Sequence, residues 1–489
     1  MKTLVINEPF VPYFCRTQRW AARTRGRVLR PPDWLAYATA VLEQAGVDVE
    51  LYDFPALNWG KARLRSLVRD KQPQYVVLDS TTPSIYSDID CARIVKEEAG
   101  STIIMVGPHV SAVPDETLDI SKGAIDIIVR GEYDYSVRDI IRVLEDGSNL
   151  KNVLGISYLK KGQVVHTPNR PLIPELDALP FPAWHQLDIL KYYAGDKLYP
   201  YMNIIAGRGC PFRCIFCLWP QVMHGRHYRL RSAKNVVDEM EYNLLNWPKI
   251  KKGELFFEDD TFTINRKRAL EICQELSDRK LGITWSANAR SDTYDLELFK
   301  KMKAAGCRDL VVGLESGDQT ILDRIKKGIT LNQSREFIRT AHRAGLLVHG
   351  CFVIGLPGET QSSIEKTLRF AMEVNLDTLQ FSGSIPFPGT EYYDYCKEAG
   401  LLKASSWADW LDEGEQTAVV EYPNLTKAQI NHYVDKGLRD FYFRPKFMFK
   451  FLFNTRSFSD LQRKLLGAKN FISYLFSENR LVKTLRRKV

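Results

Sequence analysis

The sequence predicts an α/β chain: a doubly wound parallel sheet, then a partial (β/α)6 TIM barrel, then a helical C-terminal region. Three observations lead there. Apolar strands alternate with amphipathic helices over 3–146. The alternation resumes at 201 with a second rhythm of six strand–helix units. Between the two runs the chain turns Pro-rich, as in PLIPELDALPFPAW. With 489 residues, 45% hydrophobic and 26% charged, a sizeable core can form, and a disordered chain is excluded.

Taken in order, TLVIN (3–7) reads as a buried strand, and a helix over 33–46 follows Pro31 and Pro32 and stops at Gly46. Strands VDVELYD (47–53), YVVLD (75–79), TIIMVG (102–107) and IDIIVRG (125–131) alternate with helices over 60–70, 86–99 and 134–146. Such sheets bind ligands at the carboxyl ends of their strands, here Asn7–Phe10, Asp79–Tyr86, Gly107–Val110 and Gly131–Tyr135. The barrel strands are expected at 201–206, 254–258, 283–288, 309–314, 347–353 and 378–384. The domains so drawn are 1–150, a linker at 151–200 that includes the hairpin-like GISYLKKGQVVHTP, the barrel at 201–390, and 391–489.

The formal charge is 68 − 59 = +9, but it is concentrated. Residues 441–489 hold twelve Lys or Arg and two acids, interleaved with aromatics such as Phe443, Phe447, Phe449, Phe451 and Phe453. That pattern fits peripheral contact with an anionic membrane, or a docked helix with a solvated basic face. No nucleic-acid recognition motif accompanies the charge, so nucleic acid is not an expected partner. No run of eighteen apolar residues exists, and Glu8 and Pro9 interrupt the N-terminal apolar stretch. A reduced, cytoplasmic chain is expected, with thiols or metal ligands rather than disulfides.

The first barrel strand runs into Gly207-Arg-Gly-Cys210-Pro-Phe-Arg-Cys214-Ile-Phe-Cys217. One loop thus offers three thiolates to a metal centre. An iron–sulfur cube normally takes four cysteines, so three leave one iron open to an exogenous chelate. A structural zinc site, completed by His224 or His227, is the alternative. The remaining cysteines, Cys15, Cys91, Cys273, Cys307, Cys351 and Cys396, are scattered and read as buried thiols.

CPFRCIFC resembles the CxxxCxΦC signature of the radical SAM superfamily. The resemblance implies that Cys210, Cys214 and Cys217 hold a [4Fe–4S] cluster and that Phe216 lies near S-adenosylmethionine. LFFEDDTFTIN, SANAR, VVGLESG and FVIGLPGET resemble the family's later strand exits. They bring Glu258, Asp259, Asp260, Arg290, Glu315, Ser316 and Gly355 toward the same cofactor. The first domain resembles that of the cobalamin-binding subgroup through DSTTPS, VGPHVSAVPDETL and VRGEYDYSV. This implies cobalamin contacts from Ser80, Thr81, Thr82, Gly107, His109, Gly131 and Glu132. No Asp-x-His-x-x-Gly occurs, so a histidine ligand to cobalt is not expected.

Thr378, Gln380, Ser382 and Ser384 form a polar stripe on the sixth strand; with His349, Gln380 and Ser382 are substrate candidates. No general base is evident. The resemblance implies methylation of an unactivated carbon of a lipid or natural product through a 5′-deoxyadenosyl radical. It also implies a reductant such as flavodoxin or ferredoxin. A non-methylating cyclase or ring-rearranging enzyme shares the layout. The non-enzyme alternatives are a zinc-stabilised scaffold and an iron–sulfur electron carrier.

Overall fold

The five parallel strands of the first sheet are largely buried because helices cover both its faces, although the edge strand DVELYD also carries Asp48, Glu50 and Asp53. They are β1 (Lys2–Asn7), β2 (Asp48–Asp53), β3 (Tyr75–Leu78), β4 (Thr102–Met105) and β5 (Ile127–Val129). The computed structural model describes residues 2–17, 21–412, 414–445, 447–448, 461, 464–469 and 474. Val5 stands opposite Leu51 and Val77, and Val77 opposite Ile104, so side chains alternate between faces in register. On one face they meet Leu35, Leu42, Val137 and Ile141 of helices Asp33–Gln44 and Asp134–Glu145. On the other they meet Leu64, Val68, Ile85 and Ile89 of helices Lys61–Lys71 and Ile85–Ala99.

The segment 151–200 differs from the expected linker. Its hairpin, β6 (Ile156–Lys160) and β7 (Gln163–His166), pairs antiparallel on the edge of β5. The sheet order is therefore β2-β1-β3-β4-β5-β6-β7. The physical reason is that β5 would otherwise leave an open ladder, and Ile156 and Tyr158 bury against it. The rest of the segment is a strap anchored by buried Trp184 and Tyr192, with the Tyr192 hydroxyl donating to Asp53 at 2.8 Å.

The second sheet runs in chain order and is parallel throughout: β8 (Tyr201–Ile204), β9 (Glu254–Phe257), β10 (Trp285–Ala289), β11 (Cys307–Glu315), β12 (Leu347–Ile354) and β13 (Thr378–Gly383). Its edges do not pair, so the barrel is open. Leu310, Val312, Phe352, Leu379 and Phe381 face the outer helices and are buried. The alternate row, Val311, Gly313, Cys351, Thr378 and Gln380, is half-buried or exposed. A packed barrel shows the reverse, so the lumen here is a polar opening rather than a core.

The region from 391 onward is less helical than expected. Helices Glu391–Glu398 and Lys427–Tyr442 are separated by a turn at Trp407–Trp410 and two short strands, Leu411–Asp412 and Glu415–Gln416. Those strands join Ala22–Arg23 and Phe14–Cys15 in a small sheet. Arg23 and Arg27 reach Glu415 at 3.3 and 2.7 Å, and Arg25 reaches Asp435 at 2.6 Å. Gly437 lets the last helix seat on β13, since a Cβ there would stand 2.8 Å from Leu368 and Phe381. Phe443 and Met448 are exposed; Phe449, Phe451 and Phe453 lie outside the described residues.

Candidate active site

The cysteine loop leaves β8 through Gly207–Arg208, which pairs antiparallel with Arg229–Leu230. The returning segment presses on it so closely that position 209 must lack a side chain. Gly209 has φ +90°, and a Cβ would strike the His227 carbonyl and stand 3.0 Å from that of His224. Within the loop, Cys210 N–H donates to Gly225 O at 3.2 Å, and Ile215 N–H donates to Ile325 O at 3.1 Å. Gln221 Nε2 donates to the carbonyls of Ile215 and Cys217 at 3.0 and 2.7 Å. The backbone around the three thiols is thus fixed by neighbours. Cys214 and Phe216 are buried, while Cys210 and Cys217 are half-buried.

Arg290 and Glu315 gather beside this loop. The Arg290 guanidinium lies 3.4 Å from the Phe212 ring centroid and pairs with Asp292 at 3.0 Å. Glu315 sits at φ +61° and accepts from Lys327 Nζ at 2.7 Å. Lys327 is buried; burial alone would lower its ammonium, but Glu315 and the neighbouring Cys214 hold it above the usual lysine range. A Cβ at Gly313 would stand 2.9 Å from that ammonium, so glycine makes the space for it. Sequence reasoning missed Lys327, which no spacing rule marks.

Glu258 pairs with Arg30 at 2.7 Å, leaving its buried Oε2 without a hydrogen bond. Asp260 is half-buried. Asp259 has a different duty from the expected one. It accepts from Ala206 N–H at 2.6 Å and from the Tyr228 hydroxyl at 2.9 Å, tying β9 to the end of β8. Ser316 is likewise taken up by Thr367 at 3.1 Å and the Asp318 N–H at 3.2 Å. Gly355 shapes a turn: its N–H donates to Glu359 at 2.6 Å, and its carbonyl accepts from Tyr392 and Tyr422. His349 bonds Thr378 at 2.8 Å near the amino ends of β12 and β13, away from the strand exits. Gln380 and Ser382 continue that inner row toward the exit.

On the first domain, Ser80 donates to Val106 O at 2.7 Å, which locks the β3 and β4 exits together. Gly107 permits this, for a Cβ at φ +104° would collide with Asp79 and with the backbone of Ser80. Thr81 bonds Ser84 at 2.8 Å, and Thr82 bonds His109 Nδ1 at 3.1 Å. Burial pushes His109 down to about 3, so the ring is neutral, and its buried Nε2 has no hydrogen-bond partner among the described residues. A small recess lies where these loops face the barrel, lined by Arg16, Thr81, Thr82, Pro108, Trp219 and Phe387. Its lining brings the hydroxyls of Thr81 and Thr82 together with the rings of Trp219 and Phe387.

Glu132 does not face that recess. It accepts from Arg229 at 2.9 and 2.6 Å, from His224 Nδ1 at 3.2 Å and from Ile173 N–H at 2.9 Å. Burial would raise its carboxyl, yet His224, Arg229 and the Arg208 charge hold it well below the usual range. Gly131 N–H donates to Ser111 at 3.0 Å. His224, the candidate fourth zinc ligand, is thus engaged by Glu132 and stacked on Trp219 at 5.4 Å. Among the described residues no three His, Cys, Asp or Glu side chains close on one ion-sized point.

The Radical SAM superfamily model matches residues 204–371 and the B12 binding domain model residues 27–141. An uncharacterized methyltransferase of Pyrococcus horikoshii, PH0819, is 33% identical over 429 residues, covering 88% of this chain and 91% of that protein. The chain belongs to the cobalamin-binding radical SAM family. An anaerobic magnesium-protoporphyrin IX monomethyl ester cyclase of Cereibacter sphaeroides is 29% identical, over 89% of this chain and 70% of that one. The fold is that of the radical S-adenosylmethionine methyltransferase TsrM from Kitasatospora setae (TM-score 0.71, 16% identity, 96% of this chain and 99% of that one). That structure carries cobalamin and a [4Fe–4S] cluster. The family makes this chain a cobalamin-dependent radical SAM enzyme of methyltransferase type, and the scaffold and electron-carrier alternatives fall away.

Two outcomes follow from the geometry. Gly209→Ala is expected to leave the chain folded by circular dichroism but to lose most of its iron after anaerobic reconstitution. Retention of wild-type iron would show that the loop does not need the close approach. The Glu359 carboxyl, pushed up to about 8 by burial, is protonated in the fold and ionised in the unfolded chain near neutrality. Its contribution to stability is complete below about pH 4 and is lost as pH rises through about 8. Glu359→Gln should therefore flatten the fall in denaturant midpoint between about pH 5 and about pH 9.

Proposed function

We propose that the enzyme methylates an unactivated carbon of a small molecule held in the barrel lumen. The observation that carries this is the cysteine loop, braced after the first barrel strand, whose continuation Leu218–Trp219 lines one recess with Thr81, Thr82 and Pro108 of the B12 domain. Cys210, Cys214 and Cys217 are the thiolates for a [4Fe–4S] cluster. Glu258, Asp260, Arg290 and Glu315, with Phe216 alongside, are assigned to S-adenosylmethionine: carboxylates suit its ammonium and ribose hydroxyls, and a guanidinium suits its carboxylate. Ser80, Thr81, Thr82, Gly107 and His109 shape the corrin side. Bound there, these groups supply a 5′-deoxyadenosyl radical that takes hydrogen from carbon, and a methyl group to replace it.

The residues of the chain bind, orient and exclude water. Lys327 and Arg290 bring positive charge to a loop that must carry thiolates. The inner row His349, Gln380 and Ser382 offers hydrogen-bonding groups to a substrate in the lumen. An external reductant such as flavodoxin or ferredoxin fits the need for single electrons. A lipid substrate is supported by the basic aromatic stretch 441–489, where Phe443, Met448 and Leu465 are exposed. Among the described residues no helix is long and apolar enough to cross a membrane, so such contact is proposed as peripheral. The second reading, a cyclase without methyl transfer, is favoured by the protoporphyrin cyclase relative.

Reconstituted anaerobically with S-adenosylmethionine and dithionite, the enzyme should release 5′-deoxyadenosine, and Cys214→Ala should release none. With the true substrate, mass spectrometry should show one added methyl; a product that loses hydrogen without gaining carbon would favour the cyclase. Removing 441–489 should weaken sedimentation with phosphatidylserine vesicles, and undiminished binding would discard the membrane contact.

A further inference from the structure

Within the apolar contact between the two domains, buried charges stand at the flanks of the cysteine loop. Arg208 stands two residues before Cys210 and reaches both oxygens of Asp134, at 2.8 and 3.0 Å. Arg229, on the strand paired with Gly207–Arg208, reaches both oxygens of Glu132, at 2.6 and 2.9 Å. All four side chains are at most 5% exposed. Glu132 lies in the stretch that leaves β5 of the B12 domain, and Asp134 opens the helix that follows it. Trp34, on that domain's first helix, stacks on His224 at 4.3 Å and lies 4.9 Å from the Arg208 guanidinium. The loop that carries the thiols is therefore held to the B12 domain at its entry and its exit, while the loop itself is braced separately by Gln221 and Ile325.

We infer that Glu132 and Asp134, gripped by Arg229 and Arg208, are positioning residues that set where the B12 domain stands relative to the cysteine loop. The inference rests on the functional reading above, since it concerns the spacing of two cofactors. Two bidentate pairs fix direction as well as distance, because each planar guanidinium matches one orientation of its carboxylate. One pair could pivot; two side by side, carried by the facing residues Arg208 and Arg229 with Arg208 also 3.7 Å from Glu132, resist that rotation. The charges balance, two against two, so the clamp makes no demand on either cofactor for neutralisation.

The test uses the holoenzyme carrying cob(II)alamin and a reduced cluster, two paramagnetic centres whose separation pulsed EPR reads directly. Asp134→Asn and Glu132→Gln keep shape and remove charge. Each is expected to widen the distribution of separations at least about twofold. Iron content and the slow release of 5′-deoxyadenosine without methyl acceptor should stay within about twofold of wild type, because the loop keeps its own braces. An unchanged distribution in both variants would overturn the inference. So would a parallel loss of iron and 5′-deoxyadenosine, which would assign the carboxylates to the loop's own folding. If the wild type releases no 5′-deoxyadenosine yet the distributions widen, the functional reading fails and the clamp stands.

Discussion

Buried ion pairs are a poor way to gain stability, because each charge must first leave water. This chain nevertheless sets several of them into a domain interface that is otherwise apolar. Arg208–Asp134, Arg229–Glu132 and Arg30–Glu258 all bridge the B12 domain and the barrel. Asn203, facing Asp33 at 2.9 Å, adds a fourth polar contact on the same seam. The apolar contacts around them supply adhesion but would by themselves tolerate sliding. Removing one partner of a buried pair costs about 3–5 kcal/mol, so the alternatives to this one docking geometry are strongly disfavoured. A reaction shared between cofactors on different domains needs that kind of constraint.

The open barrel follows from the same division of labour. The six strands do not close on one another, so the inner rows of β11, β12 and β13 line an opening rather than a packed interior. Their side chains are small or polar: Gly313, Cys351, Thr378, Gln380 and Ser382. The outer rows carry the core instead, as in the stacked pair Phe352 and Phe381 at 5.1 Å. The floor is closed by charge: Lys197 lies 3.7 Å from the Phe256 ring centroid, and Arg308 pairs with Glu254 at 2.7 Å. The lumen is thus shut at the amino end and open at the end where the cysteine loop stands.

Much of this was legible in the sequence because it depends on local pattern. The strand–helix alternation set both sheets, and the spacing of Cys210, Cys214 and Cys217 set the loop. What was not legible depends on contacts between distant segments. Glu132 lies in a motif that resembles a cobalamin contact, yet its partner Arg229 is 97 residues away and shares no pattern with it. Asp259 follows Glu258 in sequence but points the other way along the strand, into the backbone of Ala206 rather than the lumen. The hairpin at 156–166 looked like part of a linker because only the edge of β5, not its own sequence, tells where it pairs.

The placement of Lys327 shows how electrostatics completes what spacing begins. Three thiolates on one loop repel each other and are stabilised only by positive surroundings. The loop's own charges, Arg213 and Arg226, lie at its rim, and Arg226 is held by the Phe212 carbonyl. The inner side needs a cation that water cannot screen, and Lys327 is buried there against Glu315. Glu315 holds the ammonium charged, and Cys214 lies close enough to Lys327 to add to that effect. Gly313 is the concession the barrel makes to fit it: the one inner position of β11 where a side chain would displace the cation. The cysteine loop fixes where a cluster is held, and a glycine and a lysine far along the chain shape the field in which it works.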